Sequence, residues 1–364
     1  MIVEIYADQF NVVGGGGQHR ALMVARGLHM LGHKVMLITP HFKVSYEELI
    51  RSPQKYHVDV KSRSVGFKRF RYLIDNSLLI LAYAHTPNAA IVVLPCPIFR
   101  ANVLLVKKGS PVILDFGDIW FSEKDTFFYR HFSMVYLSYF FKFAYRVIMP
   151  TSRMTEYARR LFPHVKSRIL HIPSSIDTDA IKPSRKSSSP VITYIGTLNS
   201  GRGLEILPEI VEKSVKRIGD VLFKIVGSGP LLKWLKSETK RRGLSKYVSY
   251  LGDVPFYDLP SIVGDAWLGL SLYPRATLYP ADVLKALAYM SMGMPLITST
   301  YIEEALGVSI QVPFDPRAFV EAIYDLVVND SIREQMSYMA REICVKRYDV
   351  KLIAKKYEQI ITSL

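Results

Sequence analysis

Short apolar runs alternate with stretches of helical periodicity along nearly the whole chain. The run "IVEIYA" (2–7) reads as an apolar strand. Ala21, Val24, Ala25, Leu28 and Leu31 then recur at the spacing of one helix face over residues 17–31, and Gly32 stands where it can end that helix. "KVMLIT" follows as a second strand. "AAIVVL" (89–94), "PVILDF" (111–116), "RVIMPT" (146–151) and "RILHIP" (168–173) are continuous apolar runs of the kind that buried parallel strands present. The rhythm breaks at "IKPSRKSSSP" (181–190), which is rich in Ser, Pro and Lys and reads as a linker. It restarts with "VITYIG", "VLFKIVG", "YVSYLG", "WLGLSLY" and "PLITS", again with helical patterns between them.

This alternation predicts an α/β protein built from two Rossmann-like domains facing across a cleft, each with a mostly parallel sheet. The first domain is expected over residues 1–181 and the second over 182–347. Ligands of such sheets bind at the carboxyl ends of the strands, so the cleft between the domains is the default site.

Composition narrows the setting. About half of the 364 residues are hydrophobic, enough for sizeable cores. No uninterrupted apolar run reaches the roughly 18 residues that span a bilayer. The opening "MIVEIYADQF" lacks a basic segment, so no secretory signal is expected. Cys96 and Cys344 are the only cysteines, which is no disulfide framework and fits a reducing compartment. A cytoplasmic protein, free or on the inner membrane face, is the expectation.

The net charge is +15 and uneven: residues 1–181 hold 23 Lys and Arg against 13 acids, and residues 182–364 hold 24 against 19. A basic first half favours an anionic partner such as a phosphorylated ligand or an acidic membrane. No nucleic-acid recognition motif accompanies the charge, so nucleic acid is not expected as a partner.

Five stretches carry candidate chemistry. In "NVVGGGGQHR" (11–20), Gly14–Gly17 follow the first strand and open a helix, where unpaired N–H groups and the helix dipole favour an anion. This is neither G-x-G-x-x-G, since the sixth position is His19, nor a Walker A loop. Gly15, Gly16 and Gly17 are the candidate backbone contacts. "VGSGPLLKWL" repeats the theme with Gly227 and Ser228, and Pro230 suits a first helical turn. "YIGTLNSGRGLEIL" ends a strand at Gly196, continues through Thr197 and places Arg202 at a helix start, where a guanidinium can hold a phosphate through two bonds. In "LYPADVLKALAYMSMGMPLITS", Asp282 can cap a helix that Gly293 ends. Val283, Leu284 and Lys285 form its first turn. A lysine there opposes the dipole, which suggests a neighbouring anion.

Asp118 in "LDFGDIWF" is a candidate base, sugar-hydroxyl acceptor or loop cap. No His/Cys spacing matches a metal site, and no nucleophile elbow is present. Two basic-aromatic stretches, 61–73 and 127–146, read either as lipid-docking surfaces or, for the second, as a buried helix. The 61–73 stretch is the better membrane candidate.

In their order along the chain these motifs resemble the GT-B glycosyltransferases, and within them the retaining glycosyltransferase family 4. "GGGGQHRALMVARGLHMLGHKVMLIT", "VILDFGDIW", "HIPSSIDTDAIKP", "YIGTLNSGRGLEIL", "FKIVGSGPLLKWL" and "LKALAYMSMGMPLITS" carry the resemblance. It implies a nucleotide-sugar donor, a glycan or lipid-linked acceptor, transfer with retention and no metal cofactor. It also implies a C-terminal helix, about 348–364, that returns to the first domain. Asp118 would orient sugar or acceptor, and Arg202 and Lys285 would hold the diphosphate.

The departures are specific. The family's two glutamates, eight positions apart, fall on Pro280 and Ala288; its phosphate-binding arginine falls on Thr197; its Asn-Gly before the linker is Ser174-Ser175. A GT-B-shaped protein without transferase activity, partnering an active enzyme, is the alternative that the missing carboxylates raise.

Overall fold

The computed structural model describes residues 1–7, 16–38, 43–52, 89–94, 111–116, 131, 134–135, 137–139, 141–274 and 283–363. The chain divides into two compact units, one formed by Met1–Ser175 with Val350–Leu364 and the other by Ile176–Asp349. Among the described residues no helix is long and apolar enough to cross a membrane.

The first unit holds a seven-stranded sheet of order β3-β2-β1-β4-β5-β6-β7. Its strands are β1 (Ile2–Tyr6), β2 (Lys34–Ile38), β3 (Lys43–Ser45), β4 (Ala89–Leu94), β5 (Val112–Phe116), β6 (Arg146–Met149) and β7 (Ile169–His171). All neighbours are parallel except β2 and β3. The strand order reverses between β1 and β4, and helix Gly16–Met30 follows β1. That helix ends as its sequence predicts. Gly32 takes φ 87°, its N–H donates to the His29 carbonyl, and the His33 N–H donates to that of Leu28. This is the paired bonding of a Schellman cap.

The C-terminal helix Val350–Thr362 packs on helix Gly16–Met30. The contact requires a glycine: a Cβ on Gly27 would lie 2.5 Å from the Ala354 Cβ and 2.7 Å from the Val350 carbonyl oxygen. Beneath it lies a buried polar network. Arg20 Nε donates to Asp115 Oδ1 at 2.8 Å, and the Tyr357 hydroxyl donates to Asp115 Oδ2 at 2.6 Å. Arg20 Nη2 donates to the Tyr357 oxygen and the Ile172 carbonyl, both at 2.8 Å, and Nη1 reaches Ser174 Oγ at 3.3 Å. Burial raises the Tyr357 phenol well above its ordinary pKa, so it keeps its proton. The Ser174 that stands in place of the family's asparagine is therefore occupied with Arg20.

His19, next to this network, is buried, and burial lowers its pKa to about 4. An unfolded chain takes up that proton near pH 6.5, whereas the folded chain refuses it until about pH 4. Stability is therefore expected to fall as pH drops through this window, by about 3 kcal/mol from this group. Urea unfolding of wild type and His19→Gln from pH 7 to pH 4 checks it. The variant should show the shallower loss, and parallel curves would refute the assignment.

The second unit carries a six-stranded, all-parallel sheet of order β10-β9-β8-β11-β12-β13. The strands are β8 (Val191–Ile195), β9 (Leu222–Val226), β10 (Val248–Gly252), β11 (Leu268–Ser271), β12 (Leu296–Thr298) and β13 (Ser309–Gln311). Alternate residues enter two apolar clusters: Ile192, Tyr194, Phe223 and Ile225 join one, while Val191 and Val226 join the other. The sheet is thus covered on both faces, as parallel sheets require.

The segment read as a linker is bonded into this unit. Ser184 Oγ donates to the Pro260 carbonyl at 2.8 Å. Lys186 Nζ donates to the carbonyls of Gly264, Ala266 and Met292, and Trp267 Nε1 donates to that of Ser187. The chain enters this unit at 175/176, before the expected 181/182. It leaves at 349/350, where Ile176 pairs in a parallel bridge with Asp349. Cys344 is buried, and burial pushes its thiol up to about 12; Cys96 lies outside the described residues.

Candidate functional site

In the second unit the strand order turns around between β8 and β11: β9 and β10 lie to one side of β8, and β11 and its successors to the other. Such a reversal opens a crevice at the carboxyl ends of the two strands. Several of the residues singled out in the sequence are found here.

Two cations are seated on aromatic rings at these strand ends. Lys285 occupies the first turn of helix Val283–Ser291, with Nζ 4.1 Å from the centroid of the Tyr194 ring. A Cβ on Gly196, the residue after β8, would lie 3.3 Å from Lys285 Cε and 3.5 Å from its Nζ. The ammonium therefore stands at the carboxyl end of β8, on a residue that is 9% exposed. The Arg202 guanidinium lies 5.5 Å from the centroid of the Tyr273 ring, just beyond β11. Both positions hold positive charge beside an aromatic face, which lowers the cost of keeping it partly desolvated.

The loops after β8 and β9 interlock. The Leu198 N–H donates to the Ser228 carbonyl, and the Leu231 N–H donates to that of Leu198, each at 2.9 Å. Gly227, at φ 130°, brings its Cα so near that an added Cβ would sit 1.9 Å from the Gly196 carbonyl oxygen. At Gly203, φ 75°, the clash would be with the Leu272 carbonyl at 1.6 Å. These glycines let backbone from neighbouring strand ends close on itself. Ser228 Oγ donates to Asp253 beyond β10, and Thr197 lends its carbonyl to the Tyr194 hydroxyl.

The helix that presents Lys285 is held at its carboxyl end. Gly293 ends it in a second Schellman cap, with Gly293 and Met294 donating to Met290 and Tyr289. Val283 and Ala288 are buried and Leu284 half-buried. No acid occurs between 283 and 291, so the position of the family's second glutamate is an alanine packed in the apolar cluster. Gly16 and Gly17 open helix Gly16–Met30 in the first unit. Gly15, Asp118, Pro280 and Asp282 lie outside the described residues, as does the 61–73 stretch.

Sequence reading missed Tyr289. The β8–β11 ladder stops after Gly269↔Thr193. Past that point the Tyr289 hydroxyl accepts from the Ile195 N–H at 2.8 Å and lies within reach of the Thr193 and Leu270 carbonyls at 3.3 and 3.2 Å. One phenol thus satisfies backbone groups that the parting strands leave behind. A tyrosine among the apolar residues of this helix was the available signal, since its hydroxyl needs a partner when buried. Among the described residues no three His, Cys, Asp or Glu converge where they could hold a metal ion.

Family models match both halves of the chain: one described as Glycosyltransferase Family 4 over residues 14–180, and one described as Glycosyl transferases group 1 over 189–329. The chain belongs to glycosyltransferase family 4. This family-4 chain is 24% identical over 222 residues to alpha-D-kanosaminyltransferase of Streptomyces kanamyceticus. That alignment covers 56% of the chain and 56% of the relative. It is 24% identical to the phosphatidylinositol N-acetylglucosaminyltransferase GPI3 subunit of Saccharomyces cerevisiae, covering 74% of the chain and 63% of that subunit. The family-4 chain thus spans less than two thirds of either relative's own length. Among solved structures, Anabaena HepE in complex with UDP superposes with a TM-score of 0.69 at 15% identity, covering 100% of both chains. The fold is that of the GT-B glycosyltransferases.

Proposed function

We propose that this protein transfers a sugar from a nucleotide-sugar donor to a glycan or lipid-linked acceptor, with retention at the anomeric carbon. The observation that carries the reading is the pair of ring-seated cations, Lys285 and Arg202, at the carboxyl ends of the adjacent strands β8 and β11. Family membership, relatives named as kanosaminyl- and N-acetylglucosaminyltransferases, and a structural neighbour solved with UDP support it.

In this scheme the bond between the anomeric carbon and the phosphate oxygen breaks while the acceptor oxygen attacks from the same face. The acceptor proton passes to the departing diphosphate. Negative charge grows on that diphosphate, and in this reading Lys285, Arg202 and the N-terminus of helix Val283–Ser291 stabilise it. Two fixed cations take the part of a divalent ion in this reading. Asp118 orients sugar or acceptor, and Gly15–Gly17 let the substrates approach the backbone of the first unit.

The second reading, a non-catalytic partner of an active transferase, is favoured by one observation: neither position 280 nor position 288 holds a carboxylate. Calorimetric titration with UDP, GDP and their common sugar conjugates separates the two. Saturable binding of one nucleotide with a Kd of roughly 1–100 μM, lost in Arg202→Ala, is the expected result. No heat across the panel from folded protein would sink the transferase reading.

A further inference from the structure

The seam between β8 and β11 is parted by a side chain. Leu268 and Gly269 pair with Ile192 and Thr193, and there the ladder between the two strands ends. Each strand nevertheless keeps its outer partner: Ile195 stays paired with Val226, and Ser271 with Thr298. The ring of Tyr289 lies at the point of parting. A Cβ on Gly269 would fall 2.4–2.7 Å from three of its ring atoms, so this glycine is the floor on which the ring rests. A glycine inside a buried strand is otherwise a loss of packing, and here it admits the close approach. The ring carries its hydroxyl across to β8, where it accepts from the Ile195 N–H at 2.8 Å. The phenolic proton is within reach of one carbonyl on each strand, Thr193 and Leu270.

Lys285 precedes Tyr289 by one turn on the same helix face. That face meets consecutive residues of β8. The Lys285 ammonium lies over the Tyr194 ring, the Tyr289 hydroxyl bonds Ile195, and the lysine chain passes Gly196. The contact between cation and ring is broad and tolerates sliding, whereas a hydrogen bond to a strand N–H is directional. The phenol therefore sets the height and rotation of the helix against β8. A slip of one residue would turn the lysine by about 100° away from the strand end.

We propose that Tyr289 is a positioning residue for the Lys285 ammonium. Its hydroxyl, wedged between β8 and β11, fixes where that charge stands relative to the backbone after β8. A cation aids a charged ligand most when it is held in place before the ligand arrives. The consequence for nucleotide binding rests on the transferase reading; the placing of Lys285 does not.

Tyr289→Phe keeps the ring on Gly269 and removes the hydroxyl. The first readout needs no ligand: acetylation of Lys285 by acetic anhydride, measured by peptide mass spectrometry against the exposed Lys216. The ratio of the two rates should change by about threefold or more in Tyr289→Phe. Gly269→Ala, which presses on the ring from β11, should change it likewise. The second readout is a double-mutant cycle on binding of UDP or GDP, whichever the wild type takes. Tyr289→Phe alone should weaken binding about tenfold, but less than about twofold when Lys285→Ala is already present. A hydroxyl that served the fold alone would give the same loss in both backgrounds, and that result would overturn the proposal. An unchanged acetylation ratio in either folded variant would overturn it too. So would a Tyr289→Phe chain that does not fold, by making the hydroxyl a condition of folding. A wild type that binds neither nucleotide would end the transferase reading and leave the acetylation ratio to decide the positioning role.

Discussion

Replacing Lys285 with alanine is expected to lower the transfer rate by about 10²–10³-fold while leaving the melting temperature within a few degrees of wild type. The lysine sits in the first turn of its helix, where the dipole opposes its charge. The Tyr194 ring, 4.1 Å away, offsets part of that cost, and a bound diphosphate would reverse its sign. In the proposed transfer, charge builds on the diphosphate as the sugar departs, so the loss should fall on kcat more than on KM. Stability should change little, because removing the ammonium of a buried lysine relieves a desolvation penalty as it removes packing. Initial rates with the donor that calorimetry identifies provide the check. An unchanged kcat would place the leaving-group charge elsewhere.

Asp115→Ala is the substitution expected to cost the most stability, about 3–5 kcal/mol. It strips the counter-charge from Arg20, 2.8 Å away, and the acceptor from the Tyr357 hydroxyl, with all three residues at or below 3% exposure. The guanidinium would keep its bonds to Ile172 and Tyr357 but remain a buried charge. Asp115→Asn retains an acceptor and should cost roughly half as much. Urea unfolding of the two variants measures this. A loss below about 1 kcal/mol for the alanine variant would mean that solvent reaches Arg20.

Much of the fold could be read from the chain because parallel strands buried on both faces write themselves as continuous apolar runs. "AAIVVL", "PVILDF" and "VITYI" needed no more than that. The strands that escaped are the short ones. β3, Lys43–Ser45, and β13, Ser309–Gln311, have three residues each and no apolar run. The Ser- and Lys-rich stretch 181–190 misled for a different reason. Its polar groups are turned toward carbonyls of the second unit, and composition does not reveal which way a hydroxyl or amine faces.

At the candidate site, the glycines and Lys285 stood out because strand–glycine–helix is a local pattern. The tyrosines did not. Tyr194, Tyr273 and Tyr289 come together through the adjacency of β8 and β11 and the helix beyond them, which no local spacing encodes. Asp115 was legible in principle, as a charge inside an apolar run that must find a partner. Its partners, however, lie 95 and 242 residues away.

The discontinuity of the first unit has a consequence for how the protein is made. The second unit is one contiguous segment, 176–349, and it leaves the ribosome whole. The first unit does not: Ala354, which meets Gly27, and Tyr357, which completes the Arg20–Asp115 network, are translated only after all of the second unit. The packing of the first unit can therefore be completed only once the whole of the second has been synthesised.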